Sequence, residues 1–139
     1  KQYPAAPFYY FEFFPSHYGY GLVFWTWRAS NFRLVHKMII EQPKRFKQAL
    51  RACEDAGFTF SASDYYKKEV YPDAPQELKK YLLAKNFAFT YENADLSRIS
   101  SPVVIDEMRL AFDVARPMYE FMMDAYKQMM DEGLIKPED

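Results

Sequence analysis

Glu12 is the one carboxylate in a run of rings, Phe8-Tyr9-Tyr10-Phe11-Glu12-Phe13-Phe14. A carboxyl group in an apolar pocket has its pKa raised, which is how a general base is tuned, and it also accepts hydrogen bonds from a ligand. The plainer reading is a strand-edge residue in water, or one paired with a Lys or Arg, since structural pairs outnumber catalytic ones. Arg28, Lys67 and Lys85 are the cations nearest to strand ends. Converging on a ring-lined sheet they would make an anion site, with Arg best suited to a carboxylate or phosphate. Standing apart, they are three surface charges.

The remaining reactive types point to structure. His17 and His36 are the only histidines, with no His-x-x-x-His spacing, and a metal site usually needs three or more ligands. We therefore expect no metal and no cofactor. His17 is expected in an exposed turn and His36 at a surface boundary of its helix. Cys53, the single cysteine, follows Phe46, Ala49 and Leu50 at helical spacing and reads as a core thiol. One cysteine also excludes an intrachain disulfide framework, and the default setting is reducing and cytoplasmic. Gly19-x-Gly21 is too short for a phosphate loop and reads as turn glycines.

The elements that must position these residues follow from periodicity. Eleven of the twenty residues from Phe8 to Trp27 are aromatic. Residues 8 to 14 and 20 to 27 read as two strands, joined by the Pro15-Ser16-His17-Tyr18-Gly19 turn into a hairpin. Phe8, Tyr10, Glu12 and Phe14 share one face, and Tyr9, Phe11 and Phe13 the other. Ser30 is a plausible N-cap for a helix to Glu41, broken by Gln42-Pro43, and a second helix runs from Pro43 to about Ala56 with Gly57 at C′. Short strands are expected at 58–61 and 65–70, a helix at 76–84 and a strand at 87–91. The last third reads as one long helix, opened by Ser101-Pro102 and kinked at Pro117. Its apolar stripe runs through Met108, Ala111, Met118, Met122 and Met129, and Phe112 and Tyr119 belong to a second row at steps of seven. The order β-β-α-α-β-β-α-β-α makes an α+β fold, a mostly antiparallel sheet with an N-terminal aromatic hairpin backed by helices.

Bulk properties narrow the function classes. The 139 residues suit one domain, residues 1–139. A net charge of −1 argues against a dedicated nucleic-acid binder, although seven bases face one acid between Arg28 and Arg51. That basic segment and the acid-rich residues from Pro102 onward are expected either to be solvated or to attract each other. No apolar run is long enough to span a bilayer.

Several segments in order carry a family resemblance. They are Phe8-Tyr-Tyr-Phe-Glu-Phe-Phe-Pro15, Gly19-Tyr-Gly-Leu-Val-Phe-Trp25, Gln42-Pro-Lys-Arg-Phe46, Tyr66-Lys-Lys68, Tyr71-Pro-Asp-Ala-Pro75, Leu82-Leu-Ala-Lys-Asn-Phe87 and the helix around Pro117. Together they resemble an uncharacterised, mainly bacterial family, the domain of unknown function numbered 2461. Members usually carry, upstream, a helical segment and a charged Arg-Asp-x-Arg-Phe-Ser-Lys-Asp-Lys-like stretch. Neither is present, so the resemblance implies the C-terminal part of a longer member. It implies no activity.

The leading expectation is a small-molecule-binding or enzymatic domain, with an anionic ligand the natural class. Its pocket would lie over the hairpin, walled by Tyr10, Glu12, Phe14, Phe24, Trp25 and Trp27 and anchored by Arg28, Lys67 or Lys85, with Glu12 the candidate base. The rival is an interaction module that forms a homodimer through the Met-rich helix. A nucleic-acid role ranks third.

Overall fold

The computed structural model describes residues 5–26 and 28–136. Its strands are β1 (Phe8–Phe13), β2 (Tyr18–Phe24), β3 (Thr59–Ser61) and β4 (Phe87–Asn93). Its helices are α1 (Arg33–Glu41), α2 (Pro43–Asp55), α3 (Lys79–Leu83), α4 (Val103–Val114) and α5 (Arg116–Asp131). The strands form one antiparallel sheet in the order β1-β2-β4-β3. The α+β fold and the aromatic hairpin therefore stand as expected.

Alternation divides the sheet into two faces. Tyr18, Tyr20, Leu22 and Phe24 of β2 pair with Asn93, Tyr91, Phe89 and Phe87 of β4, and the rings among them enter the core under the helices. Gly19, Gly21 and Val23 of β2 and Glu92, Thr90 and Ala88 of β4 occupy the intervening positions; Val23 is buried, but none of these second-face residues joins the cluster under the helices. The helices supply Phe32, Val35, Ile39, Phe46, Cys53, Met118, Phe121 and Met122, each 1 % exposed or less. Burial pushes the Cys53 thiol up to about 12, so it stays a neutral core group. Met118, Met122 and Met129 of the methionine stripe are likewise inside the chain's own core, and Met108 packs against it half-buried.

Several local expectations are corrected. Residues 65–70 make only an isolated bridge, Tyr65 to Ala84, because the charged Lys67-Lys68-Glu69 that follows leaves the ladder after two backbone hydrogen bonds. Ser30 lies inside a 3-10 turn, Ala29–Phe32, and does not cap α1. Pro102 takes the N-cap place of α4, while the Ser101 hydroxyl accepts from the Val103 N–H at 3.3 Å. The long C-terminal helix is present as expected, and its interruption falls at Ala115, two residues before the expected kink, between α4 and α5. Pro117, lacking an N–H and crowding the carbonyl four residues back, belongs to the first turn of α5.

Two polar links fix the helices. Gly57, at φ 83°, ends α2 as the sequence implied: its N–H reaches the Glu54 carbonyl and the Phe58 N–H the Cys53 carbonyl, a Schellman closure that seats Phe58 in the core. Arg45 of α2 meets Asp124 of α5 at 2.5 Å, so the basic and acidic segments do touch.

Candidate functional site

The expected pocket residues do not converge. Tyr10 and Glu12 lie opposite Gly21 and Gly19, on the helix-free side of the sheet. The Tyr10 ring lies across Gly21, 3.1 Å from where a Cβ would stand, and burial, with Glu12 and Glu92 nearby, pushes its phenol up to about 12. Glu12 is exposed. Phe14 sits in the turn, 43 % exposed, stacked on the half-buried His17 at 4.6 Å. Phe24 points the other way, fully buried against Phe32, so it cannot share a wall with Tyr10 and Glu12. Trp25 is half-buried, and Trp27 lies outside the described residues.

The cations gather at one end of the sheet, where β2 ends and β4 begins. Lys85 pairs with Asp64 at 3.1 Å and lies 5.0 Å from the centre of the Tyr66 ring. Lys67 is exposed and, with Lys85 and the Tyr65 N–H, helps hold the Asp64 carboxyl below its ordinary value; the Lys85 hydrogen bond is the largest cause. Arg28 is exposed, and the Tyr66 hydroxyl donates to the neighbouring Ala29 carbonyl at 3.3 Å. Arg33, unforeseen from sequence, also lies over Tyr66, at 5.6 Å. Glu12 pairs with Gly19 and the Lys85 end with Phe24, five residues or about 17 Å apart along the strand. The base and the anchors expected in one site are thus at opposite ends.

His36 is a correction. It is fully buried, edge-on to Phe32, Tyr66 and Tyr71. Its Nε2–H donates to the Ala84 carbonyl at 2.8 Å, which leaves Nδ1 as a buried acceptor without a partner. Burial is the largest cause lowering its pKa, Arg33 adds to the lowering, and the Ala84 bond opposes it.

A cleft of about 410 Å³ opens beside β1, on the helix side. Phe112 of α4 and Tyr119 of α5 are seven residues apart, about 10 Å of helix rise, which leaves room for one ring between them. Tyr9 fills that room, stacked at 4.3 Å on Phe112 and 5.0 Å on Tyr119. Its phenol, pushed up to about 12 chiefly by burial and then by Tyr119, stays protonated at neutral pH and donates a long bond of 3.5 Å to the Phe112 carbonyl. Arg109, Asp113, Arg116 and Glu120 line the rest. Arg116 pairs with Asp113 at 2.5 Å, while Arg109 and Glu120 have no ion-pair partner among the described residues. The heptad row through Phe112 and Tyr119 was visible in the sequence; its meeting with Tyr9, 103 residues from Phe112, was not.

Among the described residues no three His, Cys, Asp or Glu side chains gather as a metal site, and no helix is long and apolar enough to cross a membrane. A family model described as a conserved hypothetical protein (DUF2461) matches residues 1–121 of the 139. No curated protein and no solved structure matches.

Proposed function

The chain belongs to the DUF2461 family, whose description names no activity, and from the Tyr9 cleft we propose a cytoplasmic small-molecule-binding domain for a planar aromatic anion. One observation carries this: a three-ring stack lines an open cleft of about 410 Å³ in which Arg109 and Glu120 have no ion-pair partner among the described residues, leaving the guanidinium to take an anion and the carboxylate to accept from a donor on the same ligand. The volume is that of an ordinary ligand pocket. Rings bury a flat ligand at little entropic cost, and the guanidinium fork suits a carboxylate or phosphate. Tyr9 acts as a hydrogen-bond donor, because its raised pKa keeps the proton on. This reading puts the ligand on the opposite face of the hairpin from Tyr10 and Glu12, and keeps an anion as its class.

Calorimetry with benzoate-type carboxylates and nucleoside monophosphates tests the reading. At least one class binds saturably, and Arg109→Gln weakens it about tenfold, the loss of one charge-assisted hydrogen bond. Tyr9→Leu weakens aromatic ligands more than acetate or inorganic phosphate. Absence of saturable binding by either class, or binding indifferent to both substitutions, removes the proposal.

A homodimer remains a second reading, moved to a different surface. Phe13 and Leu110 are 69 % and 66 % exposed, whereas the core methionines are sealed. Light scattering of wild type and Phe13→Glu decides it: a monomeric wild type, or an oligomer unchanged in the variant, dismisses that contact.

A further inference from the structure

A second concavity, about 400 Å³, lies far along the chain from the Tyr9 cleft. Its walls come from two places where proline stiffens the backbone: the α1–α2 junction at Pro43, and the turn Tyr71-Pro72-Asp73-Ala74-Pro75. That turn is closed by the Ala74 N–H on the Tyr71 carbonyl at 3.2 Å and by the Leu78 N–H on the Pro75 carbonyl at 3.0 Å. Each proline fixes φ, so the groove is shaped before anything enters it and loses little freedom on filling. Ile40 faces it and is 44 % exposed, a large apolar side chain left half in water.

Charge selects the occupant. Asp73 is the one charged side chain among the described residues lining the groove. The acids on either side of it are already matched, Glu69 by Lys79 at 2.8 Å and Glu77 by Lys47 at 2.9 Å. Asp73 has no ion-pair partner among the described residues. An apolar wall beside an unmatched carboxylate disfavours an anion and suits an amine with an apolar body. The Tyr71 ring offers a cation a second favourable surface. We propose that this groove is a ligand site for a small alkyl or aryl amine, separate from the anion cleft at Tyr9.

The fold supplies a reporter. Tyr71 lines the groove and also packs edge-on against buried His36, with 5.6 Å between ring centres. The chain has two histidines, and the other, His17, sits in the β1–β2 turn beside Glu92, at the opposite end of the sheet. The experiment titrates the protein at pH 8 with hexylammonium, hexanol and hexanoate while following the two imidazole Cε1–H resonances. Hexylammonium moves the His36 signal saturably and leaves His17 in place, and it binds at least tenfold tighter than hexanoate. Asp73→Asn removes that preference. Ile40→Arg, a change at an exposed position that takes away an apolar wall and adds a like charge, abolishes the shift. Arg109→Gln leaves it untouched. No saturable His36 shift with hexylammonium, or equal binding of hexanoate, overturns the proposal; a wild-type response in Asp73→Asn overturns the role of the carboxylate.

Discussion

The two sides of the sheet are made from alternate residues of the same strands, yet they obey different physics. Beneath the helices Tyr18, Tyr20, Leu22, Phe24, Phe87 and Phe89 are each 2 % exposed or less. On the other side Gly19, Gly21, Thr90 and Glu92 leave a shallow surface that Tyr10 partly roofs, and apolar bulk returns only where Val23, opposite Phe8 and Ala88, ends the face. Rings are abundant in both β1 rows, so ring content does not separate the sides. What separates them is the cross-strand neighbour: large side chains stand opposite large ones on the helix side, and glycine stands opposite Tyr10 and Glu12. A face floored by glycine cannot interdigitate with a helix layer. It can only be covered by its own ring or left to solvent.

Truncation should expose that contrast most sharply. Phe24→Ala removes a fully buried ring packed on Phe32 and is expected to cost about 3–5 kcal/mol. Tyr10→Ala, on the half-buried side, is expected to cost about 1 kcal/mol. Urea unfolding of the pair measures both, and equal losses would erase the distinction between the faces.

Filling the floor is the converse test. A Cβ at Gly21 would stand 2.3 Å from the Phe89 carbonyl oxygen as well as against Tyr10. Backbone must then move, and Gly21→Ala is expected to destabilise by about 1–3 kcal/mol. Combining it with Tyr10→Ala should recover only a fraction, since the tighter contact is with β4. Full rescue would mean that the ring, not the neighbouring strand, excludes a side chain.

These contrasts show what sequence can and cannot convey. The hairpin, the Gly57 helix end and the buried faces of α1 and α2 were legible because each depends on residues within a few positions. The cleft at Tyr9 was not legible: Tyr10 and Tyr9 are equally aromatic, but a period of two sends them to opposite faces, and only the partner strand and α4 decide which face borders a cleft. His36 was placed at a surface because its own helix neighbours gave no sign of Tyr66 and Tyr71, 30 and 35 positions further on. The 65–70 strand failed for a related reason. Aromatic and β-branched content suggested pairing, while the available ladder partner, Ala84, sits at a helix end and offers one bridge.

His36 extends the comparison to pH, because it is a buried group on the helix side whose ordinary pKa lies close to neutrality. Its folded pKa lies below the ordinary 6.5, so the unfolded chain binds the proton more readily. Its contribution to stability is present above about pH 6.5 and is lost as the pH falls toward the folded value, at no more than about 1.4 kcal/mol per pH unit. The groups facing it are Arg33, the Ala84 carbonyl and the rings of Phe32, Tyr66 and Tyr71. Unfolding free energies between pH 7 and pH 5 should therefore decline more steeply in wild type than in His36→Phe. Parallel profiles would show that the imidazole is not the group being protonated.

The smallest effect is expected at Glu12, and it bears most directly on the hairpin's chemistry. This carboxylate stands at an exposed position of the edge strand, opposite Gly19, with no ion pair among the described residues. Its one visible electrostatic consequence is to help raise the Tyr10 phenol, behind the larger effect of burial. Glu12→Gln should change stability by less than about 0.5 kcal/mol and lower the Tyr10 titration midpoint without returning it to 10, because burial persists. Ultraviolet titration of the tyrosines in wild type and variant reads this, with Tyr10→Phe identifying the relevant step. The same substitution should leave ligand affinity at the Tyr9 cleft unchanged, since Glu12 projects from the other side of the sheet. A loss of affinity in Glu12→Gln would return the functional site to the glycine-floored face and make the helix-side cleft a by-product of packing.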